Sequence, residues 1–440
     1  MIFLTEQFFY ALTYNDKLVI FDSALKYMIM SRIKIKNFGP VREGCIQGDG
    51  WIDIKKVTVF IGNQGSGKST VAKLISIFSW MEKVLTRGDF DEKEFTSSKF
   101  RNKYCGYHRI NNYFRKDETE IIYEGNSYFF TYRVNGEFSI QKLEDSLNTY
   151  SLPQIMYVPA ERNFLSMVDK PNLIKQLPDS LLTFLTEYGN AKKEIKGIYN
   201  LPINNAFLEY NKQNDVVSIK GDSYKVKLAE ASSGFHSIVP LYVVSNYLTE
   251  SVREQANNSN KMSSDEAKRF EDGVKSIWDD NTLTDVQRRI ALSALSAKFN
   301  KSAFINIVEE PEQNLFPSSQ WEIMRSLLSF NNSLDSNKLI ITTHSPYLTN
   351  GLTIAVKAGI LKEKIQDNQE LLEELDTVYP TNSTIHPDDI AIYELKEEDG
   401  TVKLLANYNG LPSDENFLNN MLEESNDLFA ELLEIQQKIQ

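Results

Sequence analysis

The sequence predicts an α/β fold: a central, mainly parallel sheet, an antiparallel β-subdomain beside it and an inserted helical arm. Three observations carry that expectation. Short apolar, β-branched runs at 56–61 (KVTVFI), 155–158, 304–308 and 338–343 have the composition of strands buried on both faces. The first of them enters a glycine-rich loop and then a helical pattern from Thr70 to about Val84. Residues 116–142 alternate apolar and polar, with turn signals at Glu124-Gly125 and Asn135-Gly136.

Along the chain, residues 1–30 read either as an extension or as a packed terminal segment. Glu6, Asp16, Lys17, Asp22 and Lys26 interrupt this apolar stretch, so it lacks both a secretory pattern and the roughly 20 apolar residues of a membrane span. An N-terminal lobe is expected over 31–248, opening on the alternating strand SRIKIKNF; within it, 170–212 reads mainly as helix and 215–227 alternates again. A polar helical arm follows at 249–300, then two completing strands within 301–350, and a helical and β region at 351–440 reserved for partner or oligomer contacts. No internal repeat is visible.

Composition narrows the function. A content of 41% hydrophobic and 25% charged residues is that of a folded globular chain. Two cysteines without CxxC spacing and four scattered histidines argue against a zinc ribbon, a disulfide framework or a self-contained metallohydrolase, and favour a reducing, cytoplasmic setting. The net charge of −12 repels polyanions at long range, so nucleic acid would need a local basic surface.

The site residues follow in chain order. Gly62-Asn63-Gln64-Gly65-Ser66-Gly67-Lys68-Ser69, continuing to Thr70, satisfies G-x-x-x-x-G-K-[ST] between a strand and a helix. Its backbone N–H groups and helix N-terminus suit phosphate, Lys68 the β and γ phosphates, and the Ser69 hydroxyl Mg²⁺. ATP is the expected ligand. INIVEEPE ends a strand in three carboxylates, which makes Glu309 the candidate magnesium contact and Glu310 the candidate base for an attacking water. The strand at 338–343 delivers His344, suited to hold a γ-phosphate or orient water. Ser232, Ser233 and Gly234 open a helix, either as a second anion-binding terminus or as an ordinary cap.

Together these motifs resemble the ABC-type ATPase heads of the OLD-like, SMC-like and RecF-like group, over about residues 31–350. GNQGSGKST resembles the Walker A loop, SSGFHS a divergent signature, INIVEEPE the Walker B strand, EQNLFP the D-loop region and ITTHSP the switch histidine. The resemblance implies a head-to-tail homodimer or higher oligomer in which Ser232, Ser233 and Gly234 close a nucleotide in trans. It also implies a glutamine-loop position at Glu161 or Arg162 in YVPAERN, with Phe38 a candidate to stack on adenine. The acid before Glu310 is Glu309 rather than the usual Asp, a variation common in the OLD-like branch, and the signature is not LSGGQ.

The 77 residues from Ser233 to Glu310 disfavour a transporter cassette, and the arm is too short for a long SMC coiled coil. Roughly 95 residues follow His344, with no DxD-type acidic pair on strands to suggest a nuclease domain. The chain therefore most resembles the stand-alone ATPases of bacterial phage-defence systems such as PARIS or Septu, regulators of a separate toxin or nuclease. A DNA repair or recombination ATPase of RecF or SMC type is the alternative.

Two surfaces remain. Residues 97–116 carry Lys99, Arg101, Lys103, Arg109, Arg115 and Lys116 without an acid and with interleaved aromatics. They form either a dock for DNA or a DNA-mimicking acidic protein, or a basic stretch packing its rings inward. The acidic helix around 417–435 either meets a partner or packs on its own domain.

Overall fold

The computed structural model describes residues 31–87, 89–143, 151–168, 174, 176–257, 264–280, 282–283 and 301–438. The expected N-terminal extension and the last part of the expected arm, 284–300, lie outside the described residues.

Strands β1 (Ser31–Lys36), β2 (Trp51–Ile54) and β3 (Val57–Gly62) lead to helix α1 (Lys68–Arg87). Then come β4 (Glu120–Glu124), β5 (Tyr128–Tyr132), β6 (Phe138–Lys142), β7 (Pro153–Val158) and α2 (Asp179–Glu194). A second antiparallel run, β8 (Ile198–Asn200), β9 (Phe207–Asn211), β10 (Val216–Lys220) and β11 (Lys225–Lys227), precedes α3 (Ser233–Asn257) and α4 (Ser264–Asp279). The chain continues through β12 (Ala303–Glu309), α5 (Pro317–Asn332), β13 (Lys338–Thr343) and α6 (Pro346–Lys364). It ends with α7 (Gln369–Val378), β14 (Ile390–Leu395), β15 (Val402–Leu404) and α8 (Phe417–Gln437).

The central sheet has the order β15-β14-β3-β13-β12-β7. All its pairings are parallel except that of β15 with β14. Parallel pairing brings the C-terminal ends of β14, β3, β13, β12 and β7 to one rim, where ligand sites of such sheets form. Both faces are covered, which explains the unbroken apolar runs. Val57, Val59 and Ile61 of β3 pack with α2, α3 and α5 on one side, whereas Phe60 packs with α1 on the other.

Helix α1 is itself sandwiched, because the antiparallel sheet β2-β1-β4-β5-β6 lies on its far side. The stacked Phe78 and Tyr123 rings, 5.1 Å apart, join the two layers. The buried Glu82 of α1 accepts from the N–H groups of Ser127 (2.6 Å) and Tyr128 (3.3 Å) at the β4–β5 turn. Burial raises its pKa to about 7, while the same burial lowers that of Lys338 to about 8.

The structure departs from the sequence reading in three places. The expectation of mainly helix over 170–212 fails in its last part, where 198–200 and 207–211 are strands joined by a turn: FLEYN alternates, and Leu208 is buried where β9 pairs with β10. The sheet does not end at residue 350, because β14 pairs with β3 along its length. IAIYEL is a strand buried throughout, so 351–440 completes the sheet besides carrying surface elements. Finally, of the two alternatives for the C-terminal helix, packing on its own domain fails beyond its first turn. Leu418 is buried, whereas residues 421–438, including Met421, Leu428, Phe429 and Leu432, are exposed.

Candidate functional site

Because β3 stops at Gly62 and α1 starts at Lys68, the phosphate loop bridges the sheet rim and a helix N-terminus. Glycine is required at Gly62 and Gly67, where φ is 140° and 103°; a Cβ would lie 2.3 Å from the Leu395 carbonyl oxygen and 2.8 Å from Val41, respectively. The Lys68 ammonium donates to the carbonyls of Gly62 (2.8 Å) and Asn63 (2.7 Å). Burial lowers the Lys68 pKa, against the pull of Glu310, Glu312, Glu309 and Glu397. The buried Ser66 hydroxyl has no hydrogen-bond partner among the described residues.

Across the rim, β12 presents the acids. The buried Glu309 accepts from the Ala160 N–H through Oε2 (3.2 Å), while its Oε1 has no hydrogen bond and lies 4.0 Å from the Lys73 ammonium. A buried carboxylate beside a phosphate loop, with the Lys73 ammonium 4.0 Å from its Oε1, fits a magnesium-nucleotide ligand, directly or through water, and Ser69 stands at the start of the same loop's helix.

Glu310 turns out of the strand with φ +44°, a left-handed conformation unfavourable for glutamate. Its N–H donates to the Thr342 carbonyl (2.9 Å), and its carboxylate lies 3.7 Å from His344 Nδ1. His344 is held in turn by Glu312, which accepts from the His344 N–H (2.9 Å) and the Thr343 hydroxyl (2.7 Å). Burial raises the Glu312 pKa and those two hydrogen bonds oppose it. Ser345 caps α6, accepting from the Leu348 N–H, and so fixes where the strand ends.

Of the two residues at the expected glutamine-loop position, Glu161 is exposed and Arg162 is fully buried (0%). Arg162 donates to the carbonyls of Pro159, Glu309, Glu310 and Ser237. Ser232 and Ser233 are exposed at the start of α3, with Gly234 half-buried beside the Asn314 carbonyl.

The basic segment is divided. Arg101, Lys103, Arg109, Arg115 and Lys116 are exposed, and Lys99 pairs with Glu94 at 2.7 Å. Phe100 and Tyr104, however, are buried; Phe100 stacks on Phe138 at 4.5 Å. Those two rings are therefore not available to unpaired bases, although the cations face solvent. Phe38 is likewise fully buried, edge-on to Phe114 at 4.9 Å, which corrects its assignment as an adenine-stacking residue.

Two contributors escaped the sequence reading. Glu397, just past β14, accepts from the Asn63 side chain of the phosphate loop (2.9 Å). Glu312 anchors His344. The signal for Glu397 was the apolar run 390–395, of the same type as the recognised strands. For Glu312 it was the third acid of EEPE.

A Walker-type phosphate loop, an acidic strand end and a histidine gathered at the C-terminal rim of a parallel sheet define a P-loop nucleotide-binding protein. The chain belongs more particularly to the AAA ATPase domain family, whose model matches residues 28–281. That match covers the phosphate loop and α3 but stops before Glu309, Glu310 and His344. No curated protein matches the chain. Among solved structures, the SMC head domain from Thermotoga maritima is similar at 12% identity, with 86% of this chain and 99% of that chain covered and a TM-score of 0.35. An Smc head with an extended coiled coil from Pyrococcus furiosus, bound to the C-terminal domain of ScpA, is 10% identical, covering 92% and 99%, with a TM-score of 0.33. A dimeric bacterial ABC transporter cassette is 12% identical, covering 86% and 100%, with a TM-score of 0.25. No helix among the described residues is long and apolar enough to cross a membrane.

Proposed function

We propose that the chain is a magnesium-dependent ATP hydrolase working as a nucleotide-sandwich homodimer or higher oligomer, and that it regulates a separate toxin or nuclease in bacterial antiviral defence. The observation that carries the hydrolase reading is the meeting of Glu310 and His344 at the rim that also holds Lys68. Lys68 exchanges its loop carbonyls for β- and γ-phosphate oxygens, and the loop N–H groups hold the rest of the phosphate chain. Glu309 and Ser69 would hold Mg²⁺, which would supply neutralisation of the phosphate charge. Glu310 takes a proton from the attacking water, whose oxygen bonds to the γ-phosphorus as the bond to ADP breaks; His344, steadied by Glu312, orients the water or the γ-phosphate.

The exposure of Ser232 and Ser233 supports their acting on a nucleotide held by another copy. The exposed apolar face of α8 supports a protein partner, and the two buried free cysteines support a reducing, cytoplasmic setting. The exposed cations of 97–116 favour a second reading, an ATPase of DNA repair or recombination. Purification from the native host with assay of ATP hydrolysis separates these. A co-purifying effector, with turnover indifferent to DNA, supports defence. Stimulation by DNA ends, abolished by joint charge reversal at Arg101, Lys103 and Arg109, supports repair. Absence of hydrolysis refutes both.

A further inference from the structure

One fully buried guanidinium reaches three of the segments that build the rim. Arg162 follows β7, and four of its five N–H donors are spent on backbone carbonyls. Nε donates to Ser237 in the first turn of α3 (3.0 Å), and Nη1 to Pro159 in its own loop (3.2 Å) and to Glu309 (2.6 Å). Nη2 donates to the carbonyl of Glu310 (2.6 Å). No donor is turned towards the phosphate loop in these contacts, so Arg162 is not placed to touch nucleotide.

What it holds is a strained peptide. Glu310 has φ +44°, and a non-glycine residue keeps such a conformation only where its surroundings over-determine it. Here the Glu310 N–H is bound to Thr342, and its carbonyl accepts from both Arg162 and the Gln313 N–H (3.1 Å). A second tie runs parallel to the first, from the Asn314 amide to the Ser237 hydroxyl (3.0 Å). The turn after β12 is thus fastened twice to the same turn of α3, the turn that begins with Ser233.

We propose that Arg162 is a positioning residue for hydrolysis: its fork holds the Glu310 peptide, and through it the Glu310 carboxylate, in register with the first turn of α3. This rests on the ATPase reading above. The planar fork explains why arginine stands here, since a lysine ammonium has three donors on one atom and cannot span carbonyls from separate segments. Its hydrogen bonds go to carbonyl oxygens rather than to a carboxylate, so the fork orients backbone, although its charge is also felt by Glu312, Glu310 and Glu309.

The test uses the full chain with Arg162→Lys, Glu310→Gln and the double variant, measuring nucleotide affinity and single-turnover hydrolysis separately. Misplacement by a fraction of an ångström to 1 Å is enough to slow a reaction by about ten- to a hundredfold. Arg162→Lys is expected to lose that much turnover while nucleotide affinity stays within about twofold, because the Lys68 cradle does not involve it. In the Glu310→Gln background the same change should cost nothing further, since the group it positions is already gone. Should Arg162→Lys fail to fold, Ser237→Ala cuts only the parallel tie and keeps the buried charge; it should lower turnover about two- to fivefold, again without effect beside Glu310→Gln. Full turnover in a folded Arg162→Lys chain, or an equal fold-loss with and without Glu310, overturns the inference alone. No hydrolysis by the unaltered chain overturns the ATPase reading and this inference together.

Discussion

The two halves of the rim are finished differently. On the phosphate-loop side Lys68, Glu309, Glu312 and Arg162 are buried and mostly satisfied by backbone partners from the ends of β3, β7, β12 and β13. On the α3 side Ser232 and Ser233 stand in solvent, and the nearby Phe316, at the N-cap of α5, is 75% exposed. One half is preorganised within the chain; the other is presented outwards. Under the proposed nucleotide sandwich such a division is expected, since a preorganised half need not wait for its partner to become ordered.

Breaking the buried half should have the largest consequence. Glu310→Gln is expected to slow hydrolysis by about 10²- to 10⁴-fold while ATP still binds, read by single-turnover assay; undiminished turnover would move the base elsewhere. Next comes Lys68→Ala, which removes the charged donor and should weaken ATP binding about a hundredfold or more, the scale of one or two charge-assisted hydrogen bonds. Normal affinity in equilibrium binding would refute the cradle.

The outward half is probed by mixing. A Ser233→Arg chain and a Lys68→Ala chain, each inactive alone, should recover turnover together, because a mixed pair restores one site with both halves intact. Continued inactivity of the mixture, with association verified, would mean that α3 works within its own chain.

The smallest effect concerns the layer beneath. Burial raises the folded-state pKa of Glu82 to about 7 from 4.5. The folded protein therefore binds the proton more tightly than the unfolded chain, and stability falls as pH rises from about 4.5 through 7, by at most about 1.4 kcal/mol per unit. Glu82→Gln should flatten that slope in thermal melts between pH 5 and 7. Equal slopes in the two proteins would assign the titration to another group.

This contrast also explains what could be read without a structure. The phosphate loop and EEPE are local: a few neighbouring residues specify both the backbone and the chemistry. Arg162 was legible only as one of two candidates for a glutamine-loop position, because its burial depends on Ser237 and Glu310, 75 and 148 residues away. β14 escaped for a related reason. IAIYEL is a short run without a flanking motif, and its place is decided by pairing with β3 more than three hundred residues earlier. The expectation of mainly helix over 170–212 failed at its end on period, since FLEYN alternates by two over too few residues to stand out beside α2. For α8, amphipathicity identified a helix, but only the three-dimensional arrangement shows that its apolar face is uncovered.

The pairing of β14 with β3 also constrains how the chain can be divided. A fragment cut between α6 and β14 would retain every recognised motif up to His344. It would nonetheless strip β3 of its neighbour along the full register from Val57 to Gly62. All six of those residues are buried, so the cut would expose an apolar strand with a row of unsatisfied amides and carbonyls. Such a ribbon templates intermolecular pairing. Precipitation or amyloid-like assembly, with a disordered phosphate loop, is the expected fate of a minimal catalytic fragment chosen by motif alone.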